Sequence, residues 1–205
     1  MNIRVLVVDD HVVLREGVAA MLAREPGLEL AGEAANGAEA LNAFRRLRPD
    51  VVLLDLQMPG MGGLEVIEKL RAEAPKARII VLTTYEGDVQ AVRALRAGAS
   101  GYLLKSSLRR ELLDAIAAVH AGRRYVLAEV AHDIAVHAAE EALSPREVQV
   151  LQRVATGKSN KAVARELGVS EDTVKAQLRS LFAKLNVEDR TEAVTVALRR
   201  GIISL

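Results

Sequence analysis

Apolar residues fall in two regimes along the 205-residue chain. Over the first 120 residues, short runs rich in Val, Ile and Leu alternate with segments of helical period. The runs are IRVLVV (3–8), LELAGE (28–33), DVVLLD (50–55), ARIIVL (77–82) and SGYLL (100–104). They lack the strict alternation of a half-exposed strand, so they predict strands covered on both faces. Helices are predicted between and after them, over 11–24, 37–47, 63–73, 86–96 and 107–120. This rhythm predicts an α/β fold, a doubly wound five-stranded parallel sheet with right-handed crossovers. In such a sheet, sites gather beyond the carboxyl ends of the strands.

Residues 121 to 142 break the rhythm. They are Ala-rich and charged and carry no internal turn cluster, which predicts a partly helical linker. From Ser144 onward the pattern is helical only. Ser144, Pro145 and Glu147 form a capping-box signature. Ser170 and Asp189 stand where later helices begin. Four short helices are predicted, at 145–156, 160–167, 171–185 and 190–200. The expected division is therefore 1–122, a linker at 123–142, and a small all-α four-helix domain at 143–205.

Charge sharpens that division. Residues 144–205 hold 11 Lys/Arg against 7 Asp/Glu, a net +4, while residues 1–143 hold 17 against 20, a net −3. An acidic front and a basic back suggest different partners for the two domains. The absence of Cys excludes disulfides and thiolate metal sites. No apolar run reaches the roughly 18 residues of a membrane span. The N-terminal apolar stretch ends in two acids, unlike a signal peptide. A cytoplasmic protein with no membrane partner is expected.

The chemistry concentrates at strand ends. Asp9 and Asp10 follow the first strand, and Asp55 ends the third within VVLLDLQMPG. A carboxylate on the rim of an apolar strand is costly unless something pairs with it. Three carboxylates brought together would repel, and a hard divalent cation such as Mg2+ would relieve them. Asp55 could then act as a nucleophile toward a phosphoryl group. Thr83 supplies a hydroxyl and Lys105 an ammonium at the ends of the next strands. Positioning and charge neutralisation are the chief needs of phosphoryl transfer. His11 reads as local capping at the helix start, and His11, His120, His132 and His137 lack metal-site spacing.

The ordered set VLVVDDH, LLDLQMPG, VLTTY and GASGYLLKS resembles the receiver domain of two-component response regulators, a flavodoxin-like fold, over about residues 1–120. The resemblance implies that Asp55 accepts phosphate from a sensor histidine kinase. It implies that Asp9, Asp10, Asp55 and the Gln57 backbone carbonyl hold Mg2+. Thr83 and Tyr102 resemble the family's switch pair, and Lys105 its phosphate-contacting lysine. One departure is Met61-Gly62-Gly63, where the family commonly reads Met-Asp-Gly.

The third C-terminal helix carries a second chemistry. Val174, Leu178, Leu181 and Leu185 form one apolar stripe. The opposite face holds Ala176, Arg179 and Ala183, flanked by Lys175 and Ser180. Small side chains permit close approach, and the cations suit phosphates or guanine edges. With the helix before it, this reads as helix-turn-helix. Residues 143–194 are similar to the LuxR-type helix-turn-helix, and the whole chain to the NarL/FixJ class of response regulators. The resemblance implies that Lys175, Ala176 and Arg179 face the major groove, with Lys161 and Lys184 near phosphates. The family often has Thr-His where this chain has Ala176-Gln177. Two Phe and no Trp make a poor single-strand stacking platform, so double-stranded DNA is the expected partner.

The implied function is a phosphorylation-controlled transcription regulator, not an enzyme beyond its own phosphorylation and dephosphorylation, and a homodimer when phosphorylated. Two other classes share part of the chemistry. A Mg2+-dependent aspartyl-phosphate phosphohydrolase would need a substrate pocket and an acid where Gln57 stands. A phospho-switched protein-interaction adaptor would share the receiver and not bind DNA.

Overall fold

The computed structural model describes residues 2–84, 88–137 and 141–203. The first part runs β1 (Ile3–Val8), α1 (Val12–Leu22), β2 (Leu28–Ala34), α2 (Gly37–Leu47), β3 (Val51–Asp55), α3 (Gly63–Glu73), β4 (Ile79–Thr83), α4 (Asp88–Ala97), β5 (Gly101–Leu104), α5 (Leu108–His120) and β6 (Tyr125–Val126). Then come α6 (Ala128–Val136), α7 (Pro145–Ala155), α8 (Asn160–Leu167), α9 (Glu171–Leu185) and α10 (Arg190–Arg199). The start of the helix expected at 86–96 and residues 138–140 of the expected linker lie outside the described residues.

Residues 2–84 and 91–128 make one compact unit, and 141–203 belong to a second. The first unit is the expected doubly wound sheet, in the order β2-β1-β3-β4-β5-β6 with every pair parallel. The central strands β3 and β4 are buried at every position, as unbroken apolar runs require. Val5, Val7, Leu53, Ile80, Leu82 and Leu103 pack there with Val18, Leu22, Leu112 and Ile116 from the helices.

The sheet has six strands, not five. After Gly122, at φ +81°, the chain turns back and pairs Gly101 with Tyr125 and Tyr102 with Val126. The Tyr125 hydroxyl donates to the Glu111 carboxylate of α5, which anchors the strand. A two-residue strand has no period to read, so its β-favouring Tyr-Val pair is invisible to pattern. The rest of the expected linker contributes α6.

In the second unit, α7 to α10 close around Leu151, Val163, Val174, Leu181, Ala193 and Ile203. Each helix starts on a side-chain cap. Ser144 and Glu147 complete a capping box, Ser159 accepts from Ala162 N–H, Ser170 from Thr173 N–H, and Asp189 from Thr191 and Glu192 N–H.

Candidate functional site

Register brings the strand-end residues together. Val8 pairs with Leu54, so Asp9 follows one residue past β1 beside Asp55. Asp55 pairs with Leu82, which places Thr83 one step beyond. Thr83 pairs with Leu104, which places Lys105 one step beyond that. The strand order reverses between β1 and β3, the place where doubly wound sheets open a crevice.

Lys105 Nζ lies 2.7 Å from Asp9 Oδ2 and 2.9 Å from Asp55 Oδ2. Gln57 N–H donates to Asp55 Oδ1 at 3.1 Å, and His11 N–H to Asp9 Oδ1 at 2.9 Å. Asp9, Asp55 and Thr83 are all buried. Burial pushes the Asp55 carboxyl above its ordinary range, and the Asp9 charge adds to this against opposition from Lys105 and Gln57. Burial acts to lower the Lys105 ammonium, yet its contacts with Asp9 and Asp55 carry it above the usual lysine value. The two shifts differ in origin: burial dominates at Asp55, whereas the contacts with Asp9 and Asp55 decide Lys105.

Asp9 Oδ2 and Asp10 Oδ1 are buried and receive no well-directed hydrogen bond. Lys105 Nζ and His11 Nδ1 are nonetheless 2.7 and 2.8 Å from them. Close contact without a directed bond leaves lone pairs to spare. Ligand atoms of Asp9, Asp10, His11 and Asp55 all lie within 4.8 Å of one another. Crowded, under-bonded carboxylate oxygens of this kind fit a hard divalent cation.

His11 does not act as the expected cap, because its side chain makes no capping bond to α1. The Asp9 and Asp10 carboxylates draw the ring across the loop instead. Tyr102 is wholly buried, and its hydroxyl is hydrogen-bonded to Thr83. Burial pushes its phenol up to about 12, against that hydrogen bond.

Two supporting residues gave no chemical signal in the sequence. Arg15 Nη1 donates to the Asp9 carbonyl at 2.7 Å while its Nε pairs with Glu33 at 3.0 Å, which ties the first loop to β2. Gly63 lets α3 start hard against the backbone of Asp55. A Cβ there would stand 2.3 Å from the Asp55 carbonyl oxygen and 2.7 Å from Leu56 Cα. Gly62, the departure from the family pattern, caps α3 without a side chain and has room for one.

In the second unit the expected stripe of α9 is buried, and Ala176, Arg179, Ser180 and Ala183 are exposed opposite it. Arg179 and the exposed Lys161 form no ion pair among the described residues. Lys175 is exposed and held 3.2 Å from Asp172 and 3.6 Å from Glu171. Lys184, expected near a phosphate, is bound here at 3.0 Å to Glu147 and 3.1 Å to Glu141. Glu147 also accepts from Ser180 Oγ at 2.6 Å and Ser144 N–H at 2.7 Å. Burial raises its carboxyl, but these donors outweigh it and hold it down to about 2.

Residues 5–117 match the model of the response regulator receiver domain, and residues 141–197 match that of the bacterial regulatory proteins of the luxR family. The transcriptional regulatory protein LiaR of Bacillus subtilis is 38% identical over 98% of the chain and 100% of its own length. The chain is a response regulator of the LuxR-type DNA-binding class. The response regulator GacA of Pseudomonas aeruginosa is 36% identical to it over 98% of both chains. Among solved structures, this response regulator is similar to ChrA of a heme-sensing two-component system, at 37% identity and a TM-score of 0.59 over 98% of this chain and 99% of that one. It is also similar to Salmonella enterica RcsB bound to a promoter with the phosphomimetic BeF3−, at 27% identity and a TM-score of 0.74 over 96% and 98%. The regulator thus combines a receiver with a helix-turn-helix unit and acts in transcription.

Proposed function

We propose that Asp55 is the phosphoacceptor of a sensor histidine kinase and that its phosphorylation controls binding of α9 to double-stranded DNA. The observation that carries the reading is the buried Asp55 carboxylate, 2.9 Å from Lys105 at the topological switch point. The carboxylate oxygen attacks phosphorus, a P–O bond forms, and the P–N bond to the donor imidazole breaks. Lys105 neutralises charge on the transferred group. Asp9, Asp10, Asp55 and the Gln57 carbonyl would hold Mg2+, which shields the phosphoryl oxygens when bound. The regulator is then no enzyme beyond its own phosphorylation and dephosphorylation.

Thr83 offers its hydroxyl to the new phosphoryl group, and Tyr102 is already packed inward against it. Phosphate therefore stabilises this packing over alternatives, by a shift in population. The receiver is taken as 1–122, with 123–142 joining it to the DNA-binding domain at 143–205. Lys175, Ala176 and Arg179 meet the major groove, Lys161 meets a phosphate, and Lys184 does so only after leaving Glu147. Dimerisation of the phosphorylated form gains DNA affinity by effective concentration. The solved RcsB complexes, two dimers on two parallel DNAs and a promoter complex with BeF3−, support this reading. No helix among the described residues is long and apolar enough to cross a membrane, and the match to a DNA-binding family supports a regulator that works in the cytoplasm.

Incubation with acetyl phosphate and Mg2+ should label the wild type and not Asp55→Ala, and equal labelling would overturn the assignment. Arg179→Ala should weaken specific DNA binding by about 1–3 kcal/mol in a mobility-shift titration.

A further inference from the structure

On the reading of the acid cluster as the cation site, the geometry points to His11 as a nitrogen ligand of that site, which tunes it toward first-row transition-metal ions such as Ni2+ and Co2+. His11 sits between β1 and α1 in extended backbone, φ −86° and ψ 108°, and its ring caps nothing. Its Nδ1 is turned back over the loop, 3.1 Å from Asp9 Oδ1 and 2.8 Å from Asp10 Oδ1. The His11 N–H is fixed on the same Asp9 oxygen at 2.9 Å, so the ring is carried by a short, anchored stretch of chain.

Two donors bound side by side on an octahedral ion at about 2.1 Å stand about 3.0 Å apart. The separations of His11 Nδ1 from the two acids match such an edge, and Asp55 completes the cluster within 4.8 Å. The under-bonded oxygens Asp9 Oδ2 and Asp10 Oδ1 face the same cluster. The His11 side chain is 69% exposed, so an ion can arrive from solvent without opening the core.

The chemistry of the set gives the selectivity. Carboxylates, a carbonyl and water suit Mg2+ and Mn2+, whereas imidazole adds affinity for Ni2+, Co2+ and Zn2+. Mg2+ would use the oxygens alone and gain nothing from His11. A nickel-type ion would use the nitrogen as well.

The test is calorimetric titration of the untagged full-length protein, freed of metal, with MgCl2 and with NiCl2. Displacement of Ni2+ by excess Mg2+ marks the acid site apart from His120, His132 and His137. His11→Ala and His11→Gln should each lose at least about tenfold in Mg2+-displaceable Ni2+ affinity and keep Mg2+ affinity within about twofold. Unchanged Ni2+ affinity, or an equal fall for both ions, would overturn the assignment. The underlying cation site is judged separately by Asp10→Asn. If Mg2+ binding survives that substitution intact, the acid cluster is not the cation site at all.

Discussion

Asp55 at the carboxyl end of the central strand β3 and Glu147 at the foot of α7 are both 2% exposed, and each touches a lysine, at 2.9 and 3.0 Å. Their carboxyls move in opposite directions. Asp55 is pushed up by burial, with the Asp9 charge beside it, while Glu147 is held down to about 2. The difference lies in the company each keeps. Glu147 receives bonds from Ser180, Ser144 and Lys184, and the second acid on that lysine, Glu141, is exposed to solvent rather than buried beside it. Asp55 has one backbone donor and shares its lysine with Asp9. A fully bonded buried acid holds structure together. A buried acid crowded by a second buried carboxylate has a perturbed proton affinity, which is a common mark of functional sites.

The largest expected effect comes from removing the mount under Asp55. Gly63→Ala drives a Cβ into the Asp55 carbonyl, so it should cost about 3 kcal/mol in urea unfolding and abolish labelling. Unchanged labelling would mean that α3 does not position the acid.

The comparison itself is tested most directly by two near-isosteric amides. Glu147→Gln should destabilise the helical unit by about 2 kcal/mol, because Lys184 loses a charged partner in a confined place. Asp55→Asn should instead stabilise the receiver unit by about 1 kcal/mol, because it removes one of three crowded charges. Shifts of the same sign would break the contrast.

pH separates the two acids more gently. The folded value of Glu147 lies below the unfolded value of about 4.3. Its contribution is therefore present above that pH and fades as pH falls toward about 2. Asp55 has the opposite sign. Its ionised form costs stability above its raised folded value, and the cost is relieved as pH falls toward the unfolded value. Hydrogen exchange of the full chain between about pH 5 and 3 should thus show the helical unit losing protection first. The smallest effect is Gly62→Asp, which restores a capping side chain to α3 where there is room for it. It should stabilise by a few tenths of a kcal/mol and leave labelling unchanged.

Much of this contrast is legible before folding. The helices at 37–47, 63–73, 160–167 and 171–185 have the bounds their periodicity predicts. Asp9, Asp55, Thr83 and Lys105 are visible as polar residues ending apolar runs. Ser144 and Glu147 announce their capping box by spacing alone. Other features carry no such mark. The Ser144 box does not reveal that Glu147 also reaches Ser180 and Lys184, 33 and 37 residues away. Nor does a His beside two acids say whether its ring will cap a helix or cover the acids.

The amino-acid sequence by itself determined five of the six strands and the helices between them, the parallel doubly wound class of the receiver and the apolar stripe of α9. These follow from local period and strand-end chemistry. Only the tertiary structure decided the sixth strand, the close approach at Gly63, the turn of His11 toward the acids and the capture of Lys184 by Glu147. Each depends on distances between residues far apart in the chain, or on a side-chain rotation that local pattern does not constrain. The opposite fates of Asp55 and Glu147 belong to that second group, because a carboxyl's protonation is set by what folding brings against it.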